Sequence, residues 1–146
     1  AASDVYKRQG LRYVNAFSRE QLDLVGRRWN DLLQPSYLGV LDEDDIDEAS
    51  VVKCSVDIER KLDAQSALKL HAGPGFVQRN IRNGGQVQRV QEKEVRFILD
   101  QDVYSTAKVK VAAVPETLNA LHGHADQIFS DAITTVLHDA MEPEYL

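Results

Sequence analysis

The stretch Val95–Tyr104 constrains this chain more than any other. Phe97, Leu99 and Val103 share one parity, and Arg96, Asp100 and Asp102 share the other. A period of two marks a half-buried β-strand with one face on a core and one in water. Such a strand needs partners along its edges and a cover over its apolar face. Leu11–Phe17, rich in aromatic and β-branched residues, reads as one partner. From Val51 to Leu62 the even positions Val52, Cys54, Val56 and Ile58 are apolar and the odd positions polar, which predicts another. Leu68, Leu70 and Ala72 repeat the alternation after a connection at 63–66, and Gly73-Pro74-Gly75 is expected to end or bend that strand. Phe76–Ile81 and Gln86–Val90 flank Asn83-Gly84-Gly85, a tight-turn signal because asparagine and glycine tolerate positive φ.

Two helices complete the prediction. Ser18 with Gln21 three residues on fits a capping box, and Leu22, Val25, Trp29, Leu32 and Leu33 then fall on one face. Pro115 suits a first turn, and Leu118, Leu121, Ala125, Ile128, Phe129, Ala132, Val136 and Ala140 form an apolar stripe ending before Pro143. The expected class is α+β, a mainly antiparallel twisted sheet of about five or six strands packed against a short helix and a long C-terminal helix.

Composition narrows the function classes. With 146 residues, 43% hydrophobic and 27% charged, the chain suits one packed core. No apolar run reaches the ~20 residues of a membrane span, so no membrane partner is expected. Cys54 is the single cysteine, which excludes an internal disulfide and makes the cytoplasm the default expectation. A net charge of −6 disfavours nucleic acid unless a local basic patch exists. Arg79, Arg82, Arg89, Lys93 and Arg96 cluster in sequence, but Glu92 and Glu94 dilute them. In Asp42–Glu48 six of seven residues are acidic, without the spaced ligands, turn glycine and closing glutamate of a calcium loop, so a solvated connector is expected.

The nonapeptide Ala1–Gln9 has no helical or strand period and joins abruptly onto a strand-like sequence. It resembles a translated sequencing-adapter tail of the kind found on conceptual proteins from environmental reads. Residues 10–146 are then expected to form a single α+β domain, the C-terminal part of a longer protein.

His122-Gly-His-Ala-Asp126 resembles the H-x-H-x-D zinc motif of metallo-β-lactamase-like hydrolases. Gln127 stands where that family has a further histidine, and the flanking leucines already follow a helical period. His122 and Asp126 would then meet at i and i+4 while His124 turns away, so polar positions on an exposed helix face are expected and no zinc site. Asp100 and Asp102, two apart on one strand, share a face and would hold a cation only with a third ligand from elsewhere. Cys54 is expected to be an inert core thiol. No P-loop, G-x-S-x-G or Rossmann glycine pattern is present, and no cofactor is implied. These residues name no catalytic group.

The order Gly10-Leu-Arg-Tyr-Val-Asn15, Phe97–Tyr104, Leu121-His122, Ile128-Phe129 and Ile133-Thr134 resembles the C-terminal part of a sporadically distributed family of prokaryotic proteins of unknown function. Its members carry a GLRYIN strand, an LDxDxY strand and a last helix with LH and F..xIT motifs. Val14 and Gln101 replace the usual isoleucines. The resemblance implies a fold and no catalytic residues. The expected role is an interaction or ligand-binding module with no self-sufficient active site, engaging a protein partner or a second copy. The alternative is the C-terminal part of a hydrolytic or nucleic-acid-processing enzyme completed by an N-terminal half.

Overall fold

The computed structural model describes residues 6–142. Strand β5, Gln86–Ser105, lies at the centre of an antiparallel sheet with β2 (Gly10–Phe17) along one edge and β4 (Ser66–Asn83) along the other. Strand β3 (Val56–Lys61) pairs outside β4 and completes the order β2-β5-β4-β3. The short strands β1 (Tyr6–Lys7) and β6 (Val109–Lys110) form a separate antiparallel pair. Of the nonapeptide set apart in sequence, residues 1–5 lie outside the described residues. Helix α1 spans Val114–Ala132 and α2 spans Thr135–Met141, so the molecule is α+β with a long and a short helix. No helix among the described residues is long and apolar enough to cross a membrane.

The alternation in β5 sorts its side chains as expected. Phe97, Leu99 and Val103 are fully buried, while Asp100 and Asp102 point to the open face. The core face is covered by Leu121, Ala125, Ile128 and Ala132 of α1 and by Trp29, Leu32, Leu33, Leu38 and Leu41 from the connection between β2 and β3. Trp29 packs tilted on Phe97, with ring centroids 5.6 Å apart. Gln101 occupies an inward position among these apolar groups. Its amide donates to the Ala125 carbonyl at 3.2 Å, and its Oε1 has no partner among the described residues.

Four sequence expectations need correction. The helix predicted from Ser18 makes one turn only. Ser18 does accept from the Gln21 N–H at 3.0 Å, but Asp23 and Gly26 take positive φ, and the chain continues in short 3-10 turns. Val25, assigned to the packing face, is 75% exposed. The C-terminal stripe is also interrupted. At Ile133 the backbone turns extended and bridges to Leu33, Gln34 N donates to the Ala132 carbonyl, and Thr134 N donates to Leu32. Thr134 then caps α2, so the β-branched Ile133-Thr134 pair leaves the helix to bind the Leu32–Gln34 segment.

The glycine-proline stretch does not end β4, which runs through it without a break. β3 has finished pairing at Ala72, so Pro74 lies where β4 has an open edge, the setting in which proline is tolerated. Residues 51–55 precede β3 rather than belong to it, Val52 is fully exposed, and Cys54 is half-buried with its thiol 3.5 Å from the Leu38 carbonyl. That crossing segment explains Gly73. A Cβ there would lie 2.4 Å from the Cys54 carbonyl oxygen and 3.1 Å from Ser55 Cα.

Gly73→Ala should therefore lower stability by about 2 kcal/mol or more, because backbone and not a flexible side chain must move. Gly75→Ala is the comparison, since its added Cβ would meet only the tip of Ile98, 2.9 Å away, which can rotate. Urea unfolding of both variants checks this; equal midpoints for the two would contradict the account.

Candidate functional site

The open face of the sheet carries the first set of sequence candidates. Arg12 of β2 donates from Nε and Nη2 to the two carboxylate oxygens of Asp100, at 3.0 and 2.7 Å. These bonds hold the Asp100 carboxyl below the usual carboxylate range despite partial burial. Asp102 stands opposite Arg12 on one side and Lys69 on the other. On β4, His71 lies opposite Asp100 and its Nδ1 is 2.7 Å from Asp57 of β3. The face is thus a lattice in which carboxylates alternate with cations or histidine across the strands, most pairs directly opposite and the Arg12–Asp100 pair diagonal. Asp100 and Asp102 share it as expected, but both already face a cation.

The second set lies on α1, and the stretch from His122 to Asp126 is helical throughout. His122 places Nδ1 2.7 Å from the Tyr13 hydroxyl and Nε2 3.3 Å from Asp126. His124 points elsewhere, to Asp63 at 2.8 Å. Asp63 is kept below its ordinary value first by the Gln65 N–H and then by His124. The two histidines serve separate carboxylates on separate sides of the helix. His138, Asp139 and Glu142, all exposed, are the one group of three ligand-type residues brought within 4.8 Å among the described residues.

A third feature was not identified as a site from the sequence. β4 and β5 continue together past the ends of both outer strands as a two-stranded arm. β2 reaches only to Phe97, and after an irregularity between Phe76 and Gln78 six residue pairs, from Gln78↔Gln91 to Asn83↔Gln86, stand alone. At about 3.3 Å per residue the arm projects roughly 20 Å. Gly84 and Gly85 close it with positive φ, the two-residue turn predicted from Asn83-Gly84-Gly85. Residues from Gln78 to Arg89 are exposed throughout, and Phe76, Ile81, Val87 and Val95 leave large apolar surface in water.

The base of the arm is fixed by charge. Glu94 accepts from the Ser18 hydroxyl at 2.7 Å and the Glu20 N–H at 3.1 Å. Arg96 binds Glu92 at 2.9 Å and lies 3.7 Å from Glu94. Burial pushes the Glu94 carboxyl up, but the Ser18 and Glu20 bonds with Arg96 and Arg19 outweigh it and leave the group below its ordinary value. Beside them Arg19 sits over the Trp29 ring, 3.8 Å from its centroid, and binds Glu48 at 2.9 Å. Glu48, at the end of the acidic stretch read as a solvated connector, is thus a paired and half-buried anchor. Glu92 and Glu94, expected to dilute the basic cluster, are held at the arm's base and away from its tip.

A carboxyl depressed on folding stabilises the protein at pH values above its unfolded pKa, and that stabilisation is lost as pH falls through the lower folded value. Glu94→Gln should accordingly cost about 1–2 kcal/mol near neutral pH. The gap should begin to narrow as the pH falls below about 4.3, the ordinary glutamate value, and close once the pH has passed below the lower folded value, where the wild-type carboxyl is itself protonated. Denaturant titrations across this range check it, and a pH-independent gap would contradict the assignment. For α1, calorimetric titration of zinc should show no stoichiometric sub-micromolar binding, since at most two ligands converge. Such binding, if abolished by His122→Ala with His124→Ala, would overturn that reading.

Comparison with protein-family models, curated proteins and solved structures finds no match to this chain.

Proposed function

We propose that this chain is a cytoplasmic binding module, the C-terminal part of a member of the sporadically distributed family, whose recognition element is the β4–β5 arm and which has no self-sufficient active site. The observation that supports the reading is the arm itself. Six residue pairs extend past the sheet, their side chains are exposed except for the half-buried Val90, and none of them belongs to the core. An isolated two-stranded ribbon is marginally stable in water, so the arm costs order without returning buried area. A segment of that kind serves contact with another molecule. On the open face each carboxylate has a cation or histidine beside it, and the α1 histidines each have a carboxylate, so neither offers a comparable unpaired surface.

The test is excision. Arg79–Val90 is replaced by Asn-Gly between the paired Gln78 and Gln91, keeping the base of the arm. The shortened protein should unfold cooperatively within about 3 °C of the parent, because no core contact is removed. A fall of about 10 °C or more, or loss of cooperative unfolding, would make the arm a structural element and overturn the proposal.

A further inference from the structure

We infer that the partner of the arm is double-stranded DNA in B form, with the ribbon seated in the major groove; this rests on the arm being the recognition element. Charge is the first ground. Between Gln78 and Gln91 the arm holds Arg79, Arg82 and Arg89 and no acidic residue, in a chain of net charge −6. Glu92 and Glu94, which follow in sequence, are tied at the base to Arg96 and Ser18. The positive charge is therefore segregated onto the projecting tip, while the body repels phosphate and confines contact to that tip.

Side-chain chemistry is the second ground. Apart from the arginines, the polar side chains here are all carboxamides: Gln78, Asn80, Asn83, Gln86, Gln88 and Gln91. Arginine pairs in bidentate fashion with the guanine edge, and asparagine or glutamine with the adenine edge. A merely solvated ribbon would be expected to carry lysine, glutamate, serine and threonine, which are missing between Gln78 and Gln91.

Register and shape supply the third. Arg89 stands directly opposite Asn80, and Arg82 opposite Val87, so these groups share one face of the ribbon with Gln78 and Gln91. Arg79, opposite Val90, lies on the other face and is placed to reach a phosphate wall. A groove about 12 Å wide admits a two-stranded ribbon. The major groove of A-form RNA is too deep and narrow for side chains to read, which selects DNA over duplex RNA. Side-by-side pairing of two arms would instead bring the arginines of both copies together, a like-charge arrangement that the exposed Ile81 and Val87 would have to outweigh.

The test is fluorescence anisotropy with the full chain and a labelled mixed-sequence DNA duplex of about 30 base pairs, starting at about 50 mM salt. Saturable micromolar binding is expected, with log K falling against log salt at a slope between about −1, for Arg79 on a phosphate, and about −3, where all three arginines displace counterions. Arg79→Ala with Arg82→Ala and Arg89→Ala should weaken binding by about tenfold or more and flatten the slope, with the circular dichroism spectrum unchanged. Lys69→Ala, on the open sheet face, should leave binding as it was. An RNA duplex of the same length should bind at least about fivefold more weakly. Absence of binding by folded protein, equal binding of RNA, or full binding by the triple variant would overturn the inference. Sedimentation separates the two levels. An arm-dependent dimer that ignores DNA would overturn DNA as partner and leave the arm as a recognition element, whereas an arm whose excision unfolds the protein removes both.

Discussion

The pairing of β5 on both of its edges is the constraint on which the molecule depends. Its twenty residues run from the tip of the arm to the far end of the sheet, meeting β4 along nearly their whole length and β2 from Phe97 to Tyr104. Phe97, Leu99 and Val103 have no exposed surface, and each is covered from the same side by α1 and by the Trp29–Leu41 segment. Because side chains alternate strictly, a slip of one residue would exchange these groups with Arg96, Ile98, Asp100 and Asp102. The burial of three large apolar side chains and the exposure of the charged lattice are thus one commitment made by a single strand.

Beyond Phe97 the same strand changes character, and the junction is managed by ion pairs instead of apolar packing. Arg96 faces Glu92 and Glu94, Glu94 reaches Ser18 and the Glu20 backbone, and Arg19 spans Trp29 and Glu48. These groups lie where the sheet loses its outer strand and the chain turns out of β2. Partial burial makes such pairs worth more than fully exposed ones, though both ends must stay hydrogen-bonded to offset desolvation. Glu94 meets that condition with several donors, so a carboxylate can mark the boundary between the packed body and the solvated arm.

Much of the sheet was legible in sequence because period-two alternation is a local property. The parity of Val95–Tyr104, the turn at Asn83-Gly84-Gly85 and the helical placement of His122 and Asp126 all follow from residues within a few positions of one another. The expectations that failed depended on distant partners. The Ser18 cap formed, but Asp23 and Gly26 ended the turn, and the apolar residues that mimic a helical stripe pack instead from 3-10 turns. The C-terminal helix breaks because backbone from Leu32–Gln34 competes for Ala132–Thr134, a contact about a hundred residues apart in the chain. Gly73-Pro74-Gly75 was expected to end or bend its strand, because the end of β3 at Ala72, which leaves Pro74 an open edge, could not be foreseen. The arm was visible as a basic run, but the sidelining of Glu92 and Glu94 required Ser18 and Arg96 to be brought beside them. Separate short strands were expected where two continuous ones exist, since neither Gly73 nor the irregularity at Phe76 interrupts the β4–β5 ladder.

The two-residue turn at Gly84-Gly85 also restricts how such an arm can change length over evolutionary time. With the two-residue turn kept, inserting one residue into one strand would slip it against the other, and inserting one into each strand would keep the ladder but rotate everything beyond it to the opposite face. Only additions or deletions of two residues per strand, moving the tip by roughly 7 Å, preserve which side chains look the same way as Arg82 and Arg89. Length variants among relatives should therefore come in steps of four residues, and intermediate lengths should survive only where a bulge restores the phase.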